Sequence, residues 1–137
     1  MSERPPIPPS NPDTAPYWRA AREERLVMQR CAACGRLRFP PGYLCRECHG
    51  ADSDWVEVSG RGTIASFTVM HRAPTPAYAA RAPYVLALVD LQEGPRMMAN
   101  VIGEDALQAA IGDPVEVVFE ARGEDGFKLP QFRRAAR

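Results

Sequence analysis

The chain has 137 residues, of which 45% are hydrophobic and 25% are charged, so it fits one domain with a real core, with or without a small appended module. Basic and acidic residues balance at 17 each, and this zero net charge excludes a general attraction to nucleic acid or to an anionic membrane. The first ten residues lack the apolar core of a signal peptide, and no apolar run approaches the roughly 18 residues of a membrane span. We therefore expect a cytoplasmic protein without a membrane partner, whose four cysteines are metal ligands rather than disulfides.

The chain begins with a predicted extended arm over residues 1–15, because six of its 14 prolines lie within the first 16 residues. A helix is predicted over residues 16–25, with Thr14 as its N-cap. Tyr17 and Trp18 give this helix an apolar side. That side serves either to pack against the rest of the chain or to dock a partner.

Residues 26–54 contain short predicted strands and two cysteine pairs, spaced C-x2-C-x10-C-x2-C. Two such knuckles facing each other supply the four tetrahedral thiolates that a structural zinc prefers. A zinc ion with four protein ligands has no open position for catalysis, so this metal is predicted to hold the fold together. Gly35 and Gly50 follow the knuckles, where tight turns need unusual backbone angles. The predicted ligands are Cys31, Cys34, Cys45 and Cys48.

A histidine directly follows the second pair, so CRECH at residues 45–49 also matches the attachment motif of a c-type haem. Haem attachment requires export to an oxidising compartment, and it leaves Cys31 and Cys34 without a role. The wider pattern therefore favours zinc, with His49 as a bystander on the knuckle surface.

From Trp55 onward, apolar strands alternate with turn signals. The predicted strands are WVEVSG, TIASFTVMH, YVLALVDL, RMMANVIG and PVEVVFEAR. EDALQAAIGD predicts one short helix before the last long strand, and KLPQF predicts a short final strand that Pro130 confines to a sheet edge. About five strands and one helix favour a small Greek-key barrel of the OB type over residues 55–137, although the strand count alone equally allows a sandwich.

The order and spacing of these motifs resemble a known family over about residues 16–132. The match is carried by YWRA, CAACGRLRFPP, LCRECHG, W-x-E-V-S-G-R-G-T-I, HRAP, APYVLALVDLQEGPRMMANVIG, IGDPVEVVFEARG and LPQFR. The family comprises zinc-ribbon-plus-OB-fold proteins associated with acyl-CoA metabolism, first catalogued as a domain of unknown function. The resemblance implies a mainly β fold with an N-terminal helix, a rubredoxin-like zinc ribbon and a five-stranded OB-fold barrel. It also implies an accessory subunit of a thiolase-like enzyme or a hotdog-fold enoyl-CoA hydratase, in lipid, sterol side-chain or polyketide-like metabolism, with a CoA thioester as a candidate ligand.

The residues themselves suggest no catalytic set. A Ser-His-Asp or Cys-His arrangement would have to use His71 at the end of a strand, and there is no glycine-rich phosphate loop. The most unusual segment is HRAPTPAYAARAPY at residues 71–84, which is long for a connection in a compact domain. It is either a proline-stiffened surface loop or an apolar flap that lines a pantetheine path or docks a partner. The candidate CoA- or partner-contacting residues are Trp18, His71, Arg72, Arg81 and Tyr84.

Two functions remain to be separated. The leading hypothesis is a non-catalytic accessory subunit of an acyl-CoA enzyme, and the alternative is a nucleic-acid-binding module, because OB folds and zinc ribbons both bind nucleic acid. Single-strand binders combine a basic groove with exposed aromatic platforms. Here aromatic residues are 8% of the chain and its net charge is zero, and Phe67 and Phe119 fall at predicted barrel-interior positions. The sequence therefore disfavours nucleic acid.

Overall fold

The computed structural model describes residues 5–123 and 125–135. Residues 1–4 of the predicted arm, and residues 124, 136 and 137 of the predicted barrel segment, lie outside this described part. The elements in chain order are α1 (Ala15–Arg22), β1 (Val27–Cys31), β2 (Leu37–Arg38), β3 (Ser53–Glu57), β4 (Arg61–Met70), α2 (Pro76–Ala79), β5 (Tyr84–Leu91), β6 (Arg96–Val101), a 3-10 turn (Ala106–Gln108), β7 (Pro114–Arg122) and β8 (Phe127–Arg134). This confirms the predicted mainly β fold with an N-terminal helix. Across the described residues, no helix is long and apolar enough to span a membrane.

Helix α1 is shorter than predicted, and Thr14 occupies the predicted N-cap position without capping through its side chain. Thr14 precedes the helix but makes no side-chain cap bond to it. Instead the Asn11 Oδ1 accepts the Thr14 N–H at 3.0 Å, while the Thr14 Oγ1 accepts the Asn11 N–H at 3.1 Å, an exchange of the capping-box kind. The helix ends where Glu24 takes a left-handed φ of 59°. Its buried face, which includes Tyr17 and Ala21, packs on β8.

The ribbon is a three-stranded antiparallel sheet in the order β2-β1-β3. Strands β1 and β3 pair residue for residue from Val27↔Glu57 to Cys31↔Ser53, whereas β2 pairs with β1 at two positions. The strand predicted from WVEVSG therefore belongs to this sheet rather than to the barrel, and the predicted boundary at 54/55 falls inside β3. The buried Gln29 stabilises the turn after β2. Its Oε1 accepts the Arg38 Nε–H at 2.9 Å and the Gly42 N–H at 2.8 Å.

The remaining strands form a closed barrel in the order β4-β5-β6-β8-β7. Its seams are antiparallel except for the parallel contact between β6 and β8 at Val101↔Phe132. The predicted five-stranded OB-type barrel is thereby confirmed over the alternative sandwich. Alternate strand residues fill the interior, as expected for a small barrel. The largest fully buried side chains of the barrel are Phe132, Ile64, Met97, Val85, Val89 and Val115.

The prediction of a short final edge strand was wrong. Strand β8 has eight residues, pairs along its length with β7 and also meets β6. Pro130 lies opposite Phe119 in the β7–β8 register, and the bridge to β6 is at Phe132. The missing N–H of Pro130 therefore interrupts neither contact, because alternate N–H groups of a paired strand point away from the partner.

The helix predicted from EDALQAAIGD is reduced to the 3-10 turn at Ala106–Gln108. The cause lies in the residues that follow. The buried Asp113 carboxylate accepts the Ala110 N–H at 2.9 Å. The Ile64 N–H donates to the Asp113 carbonyl at 3.0 Å, and the Gly112 N–H donates to the Ile64 carbonyl at 2.8 Å. These bonds tie the segment to β4, so the helix does not continue.

Gly62 lies where the barrel closes. It pairs with Leu91 of β5 and Val115 of β7 at the same time. A Cβ at this position would overlap the backbone carbonyl of Asp90 and would lie 2.9 Å from the Val89 Cγ1. The second glycine of the GRG turn is therefore required by the close approach of three strands.

Candidate metal centre and candidate docking grooves

The two knuckles bring all four cysteine sulfurs into one cluster. The four Sγ atoms lie within 4.8 Å of one another. The Cys31 and Cys48 sulfurs are 3.4 Å apart, and those of Cys34 and Cys45 are 3.6 Å apart. Four sulfurs at the usual Zn–S length define a tetrahedron with edges of about 3.8 Å. Both the donor atoms and their spacing therefore fit a tetrahedral zinc ion.

The backbone of the two knuckles is closely similar. The Gly35 N–H donates to the Cys31 carbonyl at 2.8 Å, and the His49 N–H donates to the Cys45 carbonyl at 2.9 Å. Both residues are left-handed, with φ of 78° at Gly35 and 62° at His49. The prediction that Gly50 would supply the unusual angle of the second knuckle was wrong, because His49 does so.

Gly50 is needed for a different reason. A Cβ added to it would lie 3.3 Å from the Cys48 Sγ and 3.4 Å from the Cys31 Sγ. Since the first distance is tighter than ordinary van der Waals contact and the second is at its limit, a side chain here would press on the sulfur cluster. Glycine therefore lets the backbone approach the cluster closely.

Backbone N–H groups make the cluster favourable to thiolates at two positions. Hydrogen bonding from the Cys34 N–H and its neighbour lowers the pKa of Cys31 to about 6, and the Cys48 N–H lowers that of Cys45 in the same way. The Gly50 N–H also lowers the pKa of Cys48, but the hydrogen bond with Cys31, burial and the hydrogen bonds with the other two thiols outweigh it and raise that pKa to about 12. The backbone therefore favours thiolates at Cys31 and Cys45, and a bound dication would add its own charge in favour of the thiolate form.

An apolar groove of about 350 Å³ runs between α1, the 39–41 turn and the outer face of the barrel. Next to it, an end groove of about 330 Å³ lies between the 71–84 segment and the 3-10 turn. The two adjoin, because Tyr78 and Asn100 line both. The walls of the apolar groove include Trp18, Phe39, Pro41, Leu86, Met98 and Leu129.

Three of the predicted contact residues line these grooves. Trp18 is half-buried in the wall of the apolar groove, with its ring centroid 5.0 Å from that of Phe127. Arg81 and Tyr84 line the end groove. The Arg81 guanidinium is already bound, since it lies 3.2 Å from both carboxylate oxygens of Glu120.

The other two, His71 and Arg72, are exposed directly after β4 and are not among the residues lining either groove. The segment that they begin is partly ordered by the short helix α2. Its Tyr78 packs against Tyr84 with ring centroids 5.7 Å apart. The structure thus brings Arg81 and Tyr84 together, with Trp18 in the neighbouring groove, and separates them from His71 and Arg72.

Arg122 is a buried residue of this region that the sequence did not reveal. Its Nη1 donates to the Pro6 carbonyl at 2.9 Å, and its Nη2 donates to the Tyr78 hydroxyl at 3.3 Å. Its Nε lies 3.4 Å from the Glu120 carboxylate. A charged residue at the end of an alternating strand is usually solvated, so the pattern gave no signal that Arg122 joins the N-terminal arm, the 71–84 segment and β7.

The sequence analysis also missed two amide side chains, those of Asn100 and Gln131. Between β6 and β8 the Asn100 N–H donates to the Gln131 Oε1 at 2.8 Å, and the Gln131 Nε2 donates to the Asn100 Oδ1 at 3.3 Å. These side chains therefore supply hydrogen bonds where β6 and β8 meet at a single ladder position. In the sequence, each of these residues is an amide within a mostly apolar strand segment, RMMANV or LPQF.

Comparison with known proteins establishes the family. Residues 18–54 match the model described as ChsH2, rubredoxin-like zinc ribbon domain, and residues 55–120 match ChsH2, C-terminal OB-fold domain. The chain belongs to this family of zinc-ribbon and OB-fold proteins, which confirms the resemblance drawn from its motifs.

Several relatives are named as parts of acyl-CoA enzymes or as scaffolds. A probable enoyl-CoA hydratase alpha subunit of Thermomonospora curvata is 44% identical over 130 residues, which are 95% of this chain and 40% of that subunit. A DUF35 domain-containing scaffold protein of Methanothermobacter thermautotrophicus is 35% identical over 83% of this chain and 89% of its own length. The benzoylsuccinyl-CoA thiolase subunit BbsA of Thauera aromatica is 30% identical over 74% of this chain and 68% of its own length.

A solved structure titled Ltp2-ChsH2(DUF35) aldolase contains a chain that superposes with a TM-score of 0.83. The two chains are 42% identical, and the match covers 95% of this chain and 100% of that chain. By contrast, this chain spans less than half of the hydratase alpha subunit. The nucleic-acid alternative gains no support from these relatives, and Phe67 and Phe119 are packed against the core rather than displayed as platforms.

Proposed function

We propose that this chain is a non-catalytic accessory subunit that binds a thiolase-like or hydratase-like acyl-CoA enzyme and helps to form its acyl-CoA site. One observation carries the proposal. The same unit is part of a longer polypeptide named as a hydratase alpha subunit, and it matches an entire chain of a structure titled as an aldolase. The unit thus occurs both within a longer polypeptide and as a separate chain. In either form we expect it to act together with an enzyme.

The positions of the cysteine and histidine side chains support a non-catalytic role. Acyl transfer and hydration need a nucleophile or general base within reach of a group that orients it. The four cysteines are gathered in the knuckle cluster. Of the two histidines, His49 forms the exposed turn of the second knuckle, and His71 is exposed at the end of β4.

The metal part of the proposal is a structural zinc ion. Cys31, Cys34, Cys45 and Cys48 would hold it, and the fit of their spacing to a tetrahedron supports this assignment. When bound, zinc supplies a cross-link between the two knuckles. The residues around it add backbone N–H bonds that favour the thiolate state of Cys31 and Cys45.

The proposed contacts to CoA or to the partner are Trp18, His71, Arg72, Arg81 and Tyr84. Trp18 lines the apolar groove and Tyr84 lines the adjoining end groove. Aromatic side chains are common anchors of interfaces. Arg72 is exposed and has the planar donors that suit a phosphate or carboxylate. Arg81 already pairs with Glu120, so it would act mainly by shaping the end groove.

Co-expression tests the proposal. The chain is produced together with a thiolase-like or hydratase-like acyl-CoA enzyme from the same organism, and the mixture is analysed by size-exclusion chromatography with light scattering. We expect a stable complex that contains one zinc ion per copy of this chain. Separate elution of the two well-folded proteins would overturn the proposed partnership, and iron or no metal in the folded chain would overturn the zinc assignment.

A further inference from the structure

The outer face of strands β5 and β6 departs from the usual pattern of an antiparallel barrel. Such strands normally alternate between apolar inward and polar outward residues. The inward residues of β5 are buried as expected, but its outward positions include Leu86 and Leu88, which are half-exposed. Directly opposite Leu88 on β6 lies Met98, whose side chain is 63% exposed. A strand that is apolar on both faces is typical of a sheet covered on both sides.

This outer apolar face, defined by Leu86, Leu88 and Met98, continues into the apolar groove. Leu86 and Met98 also line that groove, whose opposite wall includes Trp18. At the other end of the face, Arg96 and Asp90 form a bidentate ion pair with an Nε–Oδ1 distance of 2.7 Å. The face therefore has an apolar centre with an ion pair at one edge, and protein interfaces likewise combine an apolar core with polar groups at the edge.

Resting on the proposed function, we propose that the outer apolar face and the apolar groove are the surface on which the partner acyl-CoA enzyme docks. The occupant follows from the comparison of lengths. In the hydratase alpha subunit of Thermomonospora curvata this unit is 40% of one polypeptide, so further protein is permanently tethered beside it. In the structure titled Ltp2-ChsH2(DUF35) aldolase the match instead covers one whole chain, so we assign the enzyme of such an assembly as the occupant of this face. An uncovered apolar surface of this kind otherwise promotes nonspecific association.

Two matched substitutions test this docking surface. Met98→Glu places a charge at the centre of the outer apolar face, and burial of an unpaired charge strongly opposes binding. Ile111→Glu makes the same chemical change at a residue that is 69% exposed, in the turn before β7 and outside the lining of both grooves. Because both side chains are exposed, we expect both variants to keep the wild-type zinc content and unfolding midpoint.

Dissociation constants for the co-expressed acyl-CoA enzyme are then measured by biolayer interferometry. We expect Met98→Glu to weaken binding by at least about 30-fold, as for an interface hot spot, and Ile111→Glu to change it by less than about twofold. If the wild-type chain binds the enzyme and Met98→Glu binds equally well, the docking surface is wrong while the proposed function stands. If the wild-type chain binds no such enzyme, both fail. A chain that self-associates until Met98→Glu makes it monomeric would show that a second copy occupies this face, which also overturns the proposal.

Discussion

Removal of the metal should unfold the knuckle region, residues 32–52, and leave the barrel intact. The regular structure in that region is the two-residue strand β2, and its backbone bonds are mostly tight turns within each knuckle, such as that from Gly35 to Cys31. The barrel, in contrast, closes through its own ladders and its own buried core. The sulfur cluster is therefore the main constraint on the knuckles.

The expected size of the effect follows from the energy of structural zinc. Such sites contribute about 10–16 kcal/mol to folding in zinc-finger peptides at neutral pH. Loss of only about 4 kcal/mol from the local opening free energy speeds amide exchange about 1,000-fold. Residues 32–52 should therefore lose at least that much protection, while the β5–β6 hairpin, residues 84–101, should change by less than about tenfold.

Hydrogen–deuterium exchange with mass spectrometry measures both regions in one experiment. Zinc-loaded protein is compared with protein treated with a chelator under reducing conditions, and metal loss is verified by elemental analysis. Equal loss of protection in the β5–β6 hairpin would show that the metal holds the whole fold. Unchanged protection of residues 32–52 after complete metal loss would refute the structural role of the cluster.

Two further predictions concern backbone positions, and both are checked by urea unfolding at fixed zinc concentration. Gly62→Ala should lower the free energy of unfolding by about 3 kcal/mol, because its Cβ overlaps a neighbouring strand, whereas Gly42→Ala, with open space around it, should change it by less than about 1 kcal/mol. Equal effects of the two would contradict the tight closure of the barrel. Gly35→Ala should cost about 1 kcal/mol, and His49→Gly should gain up to about 1 kcal/mol, because both positions are left-handed. Changes of the same sign would argue against the equivalence of the two knuckle turns.

The features that the sequence predicted well depend on local patterns. The C-x2-C spacing defines a turn within a few residues, so the sulfur cluster follows once two knuckles are present. The strand character of β4, β5 and β7 is equally local, because the β-branched and apolar residues that favour a strand lie within each segment. His49 escaped prediction because the left-handed position is usually filled by glycine, and here a glycine lies one residue further on.

The features that were missed depend on partners that are distant in the chain. β3 pairs with β1 in the ribbon, although its sequence resembles that of the barrel strands that follow. Pro130 suggested an edge, but only the register with Phe119 shows that β8 tolerates it. Likewise Arg122 is buried because it bonds to Pro6 near the start of the chain. No local sequence pattern indicates contacts between residues so distant in the chain.

The central claim, an accessory subunit without chemistry of its own, is tested most directly by reconstituting activity. Turnover of an acyl-CoA substrate is measured for the partner enzyme alone, for the zinc-loaded chain alone, and for the two together at fixed enzyme concentration. We predict background turnover by the chain alone and a clear rise in the enzyme's turnover when the chain is added. Equal enzyme activity with and without the chain, or turnover that belongs to the purified chain itself, would contradict this account.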